Sequence, residues 1–365
     1  MTAHESGPER AADAPAYRRI FDLTGRDAVV VGAASGIGAV AAAALAAFGA
    51  SVVCADVDER GLAATVARIT GQGGTARSAV ADVRSPEDMR RLAGECERTR
   101  ILLVTPATNV RKRLGDVTDD EFDRIVDLNL RGMFLAVREF GTRMAARSGG
   151  SIITVSSIRS QVVEPGQGVY AATKAAVVQL TRAAAAEWGT HGVRANVLVP
   201  GIVDTPLAAQ IRADPRWRRA YADKSALRRW GRPEELAGAV VYLASEASGF
   251  VTGSSVVVDG GWLASTAATN RRCSRCPMPS PRPRCGPTGG WPGISPGFRA
   301  RTSGRRPRCG RRGRPAGRST ARSSVSSAAR TSSCPPGAVP SASGSPAPGA
   351  APREGSSCTA TPAAS

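Results

Sequence analysis

The sequence predicts an α/β fold, a doubly wound parallel sheet of about seven strands with helices on both faces. Three observations carry this. Short apolar runs alternate with helix-period segments between Phe21 and Trp262. Helix-start signals, Ser85 with Pro86 and Asp88 and then Thr118 with Glu121, lie between those runs. The residues able to do chemistry collect at the ends of the runs, where ligands of such sheets bind.

The elements follow in order. Ala28–Val31 is a β-branched run, followed by Gly32, Ser35, Gly36, Ile37 and Gly38 and then the alanine-rich stretch Ala39–Ala47. That pattern is a strand, a tight turn and a helix, whose unpaired first N–H groups and dipole suit a pyrophosphate. The second run, Ser51–Ala55, ends at Asp56, about twenty residues after the glycines. An acid there accepts hydrogen bonds from ribose hydroxyls and repels a 2′-phosphate, which favours NAD over NADP; Arg60 keeps NADP as the minority option. Further strands end near Asp82, Thr105, Ser156, Val199 and Asp259. Ser157 closes the apolar run Ile152–Ser156, and strand alternation sends the hydroxyls of Ser156 and Ser157 to opposite faces. Tyr170 and Lys174 stand one helical turn apart, thirteen residues further on. A phenol beside an ammonium and a hydroxyl is a proton-transfer device for an alcohol or carbonyl, because phenolate at neutral pH needs a cation to stabilise it.

In their order and spacing, Gly32, Gly36, Gly38, Asp56, Asp82, Val83, Asn129, Ser157, Tyr170, Lys174, Pro200, Gly201, Thr205 and the run Val251–Gly261 resemble the short-chain dehydrogenase/reductase family, single-domain branch, over residues 21–262. The resemblance implies a Rossmann-type domain and an oxidoreductase that interconverts a secondary alcohol and a ketone by hydride transfer. It implies Tyr170 as acid/base, Lys174 as the cation beside it, Ser157 as the hydroxyl that polarises the substrate oxygen, and Asn129 as holder of a water that links the lysine to solvent. It also places Gly32, Ser35, Gly36, Ile37, Gly38, Asp56, Asp82, Val83, Ala107, Tyr170, Lys174, Pro200, Gly201, Ile202 and Thr205 on the cofactor. One departure stands out: Thr105, Pro106, Ala107 and Thr108 replace the family's Asn-Asn-Ala-Gly turn, in a loop one residue shorter. Relatives associate through the helices that contain Asn129 and Tyr170, so a homotetramer or homodimer is implied.

Arg111, Lys112, Arg159, Gln161, Glu164 and Gln167 fall in loops expected to border the substrate, pointing to a small polar compound, sugar-acid-like; the run from Asn109 to Lys112 resembles gluconate-dehydrogenase-like relatives. Residues 206–230, with Trp217, Tyr221 and Trp230, read as a lid. Two alternatives stand beside this reading: an NADPH-dependent 3-oxoacyl-type reductase, and a non-catalytic dinucleotide-binding regulator.

Charge divides the chain. The formal +19 is concentrated in residues 271–365, which hold 17 Arg, no Lys and one acid, Glu354; residues 1–270 carry only +3. The expected dehydrogenase domain, 21–265, therefore has no basic field that calls for nucleic acid or membrane. Residues 266–365, rich in Arg, Pro, Ser and Gly, read as a disordered tail and as out-of-frame translation of GC-rich DNA, with a nucleic-acid-binding arm as the alternative. Cys273 and Cys276 have zinc-ligand spacing, but the tail has no histidine and no second well-spaced pair, so no metal is expected. Residues 1–20 read as a flexible arm without an apolar leader segment. Cys54 and Cys96 stand isolated, so a cytoplasmic protein is expected.

Overall fold

The computed structural model describes residues 14–147 and 149–264, all within one compact unit of the chain. The tail and its cysteine pair lie outside the described residues.

The elements run α1 (Ala14–Arg19), β1 (Asp27–Val31), α2 (Gly36–Ala47), β2 (Ser51–Asp56), α3 (Glu59–Gly71), β3 (Thr75–Val80), α4 (Pro86–Glu95), β4 (Thr99–Val104), α5 (Asp119–Val126), α6 (Met133–Ala145), β5 (Gly150–Val155), α7 (Gly168–Trp188), β6 (Val193–Pro200), α8 (Ala209–Ala213), α9 (Pro215–Lys224), α10 (Ala237–Ala244) and β7 (Ser255–Val258). Within the expected N-terminal arm, Ala14–Arg19 is helical.

All seven strands pair in parallel in the order β3-β2-β1-β4-β5-β6-β7. The β-branched runs form strands because both faces are covered, which lets Val29, Val30 and Val31 be buried in succession. One face packs on α2 and α10 through Ala42, Leu45, Val240 and Leu243, and the other on α4 and α6 through Met89, Leu92, Ala136 and Phe140. The helices start where capping chemistry allows. Ser85 Oγ accepts from the Asp88 amide at 3.1 Å, and Thr118 and Glu121 cap α5 reciprocally at 3.1 and 3.3 Å. The strand order reverses between β1 and β4, opening a crevice at their carboxyl ends.

Candidate active site

The turn after β1 is built for close approach of another group. Gly32 has φ +89°, and a Cβ there would sit 2.2 Å from Thr105 Oγ1; a Cβ on Gly38 would sit 2.0 Å from the Gly32 carbonyl oxygen. Helix α2 opens at Ser35, whose side chain makes no capping bond, so its first N–H groups face the crevice without an internal acceptor. The altered loop after β4 is held from two sides. Thr105 Oγ1 donates toward the Val31 and Gly32 carbonyls, each at 3.1 Å, tying β4 to the glycine turn. The Thr108 amide donates to Asn129 Oδ1 at 2.7 Å, and Asn129 Nδ2 donates back to the Thr108 carbonyl at 2.9 Å.

A cleft of about 530 Å³ runs along this crevice, lined by Gly32, Ser35, Gly36, Ile37, Gly38, Asp56, Asp82, Val83 and Ala107, all expected on the cofactor. At its far end Asp56 Oδ2 accepts from the Ala34 amide at 3.1 Å, and Oδ1 from the Val57 and Asp58 amides at 2.7 and 3.2 Å. A carboxylate has roughly four lone-pair sites, so with three in use one remains to accept from a ribose hydroxyl. Arg84, which also lines this end, is engaged by Asp82 through Nη2 at 2.7 Å and Nε at 3.0 Å. That pairing lowers the Asp82 pKa. These features fit a dinucleotide: backbone access at the turn, unpaired amides at a helix start and an acceptor for ribose hydroxyls.

A second cavity, of about 130 Å³, adjoins the first and shares Ile37, Thr105, Ala107 and Thr205 with it. Ser157, Tyr170, Lys174, Pro200, Gly201 and Ile202 line it. Ser157 follows β5 and caps a short 3₁₀ turn, its Oγ accepting from the Arg159 amide at 3.1 Å. The hydroxyls of Ser156 and Ser157 part as alternation requires, for Ser156 Oγ donates to the Lys174 carbonyl at 2.7 Å. Tyr170 and Lys174 are buried on α7. Lys174 Nζ donates to the Val155 carbonyl at 2.9 Å and lies 5.7 Å from the Tyr170 ring centroid. Burial pushes the Lys174 ammonium down to about 8. Burial also raises the Tyr170 phenol, against a hydrogen bond with Ser157 and the charges of Arg159 and Arg111, which lower it. The arginines therefore join the expected lysine in favouring phenolate.

The other expected residues divide. Asn129, fully buried in a π-helical segment at Asp127–Gly132, lines neither cavity; its amide is spent on Thr108 and, at 3.2 Å, on Thr173 Oγ1. Arg111, Arg159 and Gln167 line the small cavity. Lys112, Gln161 and Glu164 do not: Lys112 pairs with Glu121 at 2.6 Å, Gln161 is exposed, and Glu164 pairs with the lining Arg159. From residues 206–230, Leu207, Ala208, Ile211 and Tyr221 line the cavity, whereas Trp217 and Trp230 do not. Two contributors escape the sequence reading. Thr105 as a tie to the glycine turn has no local pattern to announce it. Trp262, whose ring lies 5.4 Å from that of Tyr221 and 5.5 Å from the Arg159 guanidinium carbon, is brought there only by the chain's return after β7. Among the described residues no cluster of metal-binding side chains occurs, and no helix is long and apolar enough to cross a membrane.

A family model described as enoyl-(acyl carrier protein) reductase matches residues 32–263. The chain is 39% identical over 253 residues to galactitol 2-dehydrogenase (L-tagatose-forming) of Cereibacter sphaeroides, covering 67% of this chain and 98% of that protein. It is 36% identical over 246 residues to dehydrogenase/reductase SDR family member 6 of Rattus norvegicus, covering 66% and 98%. A crystal structure of a gluconate 5-dehydrogenase from Burkholderia cenocepacia J2315, in complex with NADP and tartrate, superposes with a TM-score of 0.64 at 35% identity, over 67% of this chain and 98% of that one. The chain belongs to the short-chain dehydrogenase/reductase family, oxidoreductases that act on CH–OH groups with NAD(P).

Proposed function

We propose that this chain interconverts a secondary alcohol and a ketone of a small polar substrate, with Tyr170 as acid/base, Ser157 as the hydroxyl on the substrate oxygen and Lys174 as the supporting cation. The observation that carries the reading is that the two cavities adjoin across Ile37, Thr105, Ala107 and Thr205, with Asp56 lining one and Tyr170 the other. When bound, the nicotinamide accepts or returns the hydride. The chain's own residues manage the proton. In oxidation the Tyr170 Oη takes the hydroxyl proton, and in reduction it gives one to the carbonyl oxygen, while Ser157 Oγ orients that oxygen. The Ser157 hydrogen bond and the charges of Arg159 and Arg111 offset part of the cost of a buried phenolate, and the Lys174 ammonium, 5.7 Å from the ring centroid, is the cation assigned beside them. Asn129 acts as a positioning residue that holds the Thr108 loop against the cofactor.

NAD is the preferred cofactor in this reading. A 2′-phosphate at the far end of the cleft would meet Asp56 and Asp82, with Arg84 already engaged by Asp82. The NADP held by the Burkholderia cenocepacia relative favours the second option, a dual or NADP-linked enzyme. Self-association is supported by Phe122 on α5 and Phe134 on α6, 48% and 41% exposed. A cytoplasmic location is supported by two free, isolated cysteines among the described residues.

The test is a panel of polar secondary alcohols with NAD and with NADP, following absorbance of the reduced cofactor. Turnover of at least one alcohol, faster with NAD, is expected. A complete failure with both cofactors, in protein shown to be folded, contradicts the reading.

A further inference from the structure

Two residues that line the small cavity each bury a polar atom without a partner: Arg159 Nη1 and Asn109 Oδ1. One is a cationic donor and the other a neutral acceptor, and each costs stability unless something fills its hydrogen bond. Their neighbours are fully committed. Arg159, only 5% exposed, pairs through Nη2 with Glu164. The Glu164 carboxylate also accepts from Gln167 Nε2 at 2.5 Å and from the Tyr221 hydroxyl at 2.6 Å. Asn109 Nδ2 donates to Gln167 Oε1 at 2.9 Å, which uses the amide's donor side and leaves its carbonyl oxygen over. Arg111 donates to the Tyr221 hydroxyl at 3.3 Å and makes no ion pair among the described residues.

The charge balance points the same way. The titratable groups around the cavity, apart from Tyr170 and Tyr221, are Arg111, Arg159, Glu164 and Lys174. Glu164 cancels one arginine, so the walls keep a net positive charge before Lys174 is counted. A cation with one uncommitted N–H edge is a seat for a carboxylate, and an acceptor with no donor is a seat for a hydroxyl. A neutral polyol can fill both hydrogen bonds, since a hydroxyl accepts as well as donates, but it leaves the positive charge of the walls uncompensated.

Building on the proposed alcohol oxidation, we infer that the substrate is a polyhydroxy carboxylate, an aldonate-type acid, whose carboxylate is held by Arg159 with Arg111 beside it and whose hydroxyl donates to Asn109. Arg159 is thus a specificity residue that distinguishes the acid from the alditol of the same carbon skeleton. The network through Glu164 fixes its guanidinium, and Tyr221 links that network to the covering helix α9.

The experiment compares C4 to C6 aldonates with the alditols of matching configuration, with NAD and with NADP, for wild type, Arg159→Gln and Arg159→Lys. Wild type is expected to favour at least one acid by about tenfold or more in kcat/KM. Arg159→Gln is expected to reduce that ratio by about 10- to 100-fold, mostly through KM, as the loss of a charge-assisted hydrogen bond requires. Arg159→Lys should restore part of it. Fluorescence of bound reduced cofactor reports aldonate binding independently of turnover, and Arg111→Gln serves if Arg159→Gln does not fold. A wild-type ratio near one, a ratio unmoved by the charge-removing variant, or an enzyme–cofactor complex that binds no aldonate overturns the inference. Turnover of alditols alone removes the carboxylate seat and leaves the proposed alcohol oxidation standing. Aldonate binding that depends on Arg159, in an enzyme that oxidises none of the panel, does the reverse.

Discussion

The ammonium of Lys174 donates a 2.9 Å hydrogen bond to the carbonyl of Val155, the last residue of β5, in a site where the lysine is 1% exposed. A cation so placed is a cost to the fold, and its magnitude is visible in the fall of its pKa from 10.5 to about 8.

The sign follows from proton counting. Below pH 8 folded and unfolded chains both hold the proton and the penalty is complete. Between pH 8 and 10.5 the unfolded chain keeps a proton that the folded one has lost, so stability gains with pH. The shift corresponds to about 3 kcal/mol, and the lost bond to Val155 returns about 1. Lys174→Met is therefore expected to be inactive yet more stable than wild type by about 2 kcal/mol at pH 7, with the difference closing toward pH 10.5. Paired denaturant melts measure it. Because Cys54, Tyr170 and Tyr221 titrate in both proteins, only the difference is diagnostic. A variant less stable than wild type at pH 7 contradicts this.

The proposed preference for NAD rests on Asp56. Removing its carboxylate takes away both the ribose acceptor and the charge that opposes a 2′-phosphate. Asp56→Ala is expected to lower the NAD over NADP ratio of kcat/KM by about 10- to 100-fold. It also leaves the Ala34, Val57 and Asp58 amides without their acceptor, at a cost of about 1–2 kcal/mol in stability. An unchanged ratio would show that discrimination lies elsewhere.

Glycines of the same helical class separate sharply. A methyl at Gly38 meets the Gly32 carbonyl oxygen at 2.0 Å, whereas one at Gly71, ending α3, meets nothing within 4 Å. Gly38→Ala should cost about 3 kcal/mol and weaken cofactor binding, while Gly71→Ala should be neutral or stabilising by about 0.5 kcal/mol. Thermal melts with and without cofactor distinguish them, and equal effects would mean that the glycine turn is not under the constraint described.

Much of this molecule was legible in the linear text because its physics is local. The observed strand ends at Val31, Asp56, Val80, Val104, Val155, Pro200 and Val258 lie within two residues of the expected ones. Apolar runs, turns and caps are set by near neighbours, so they could be read one segment at a time. The polar network was harder. Arg159, Glu164 and Gln167 sit close in sequence, but Tyr221 joins them from 57 residues beyond Glu164 and Trp262 from a later return of the chain. Lys112 was expected at the substrate because it adjoins Arg111; the first turn of α5 offers Glu121 instead, and the salt bridge draws it away. Thr105 shows the converse: a departure from a familiar turn that would pass for damage holds two carbonyls at once.

The account rests most directly on the Tyr170 hydroxyl. Replacing Tyr170 with Phe removes one oxygen and keeps the buried ring. With any alcohol that the wild type oxidises, kcat is expected to fall by about 10³-fold, while cofactor affinity, read by fluorescence titration, stays within about threefold. A Tyr170→Phe enzyme that turns over at the wild-type rate with cofactor bound would contradict it.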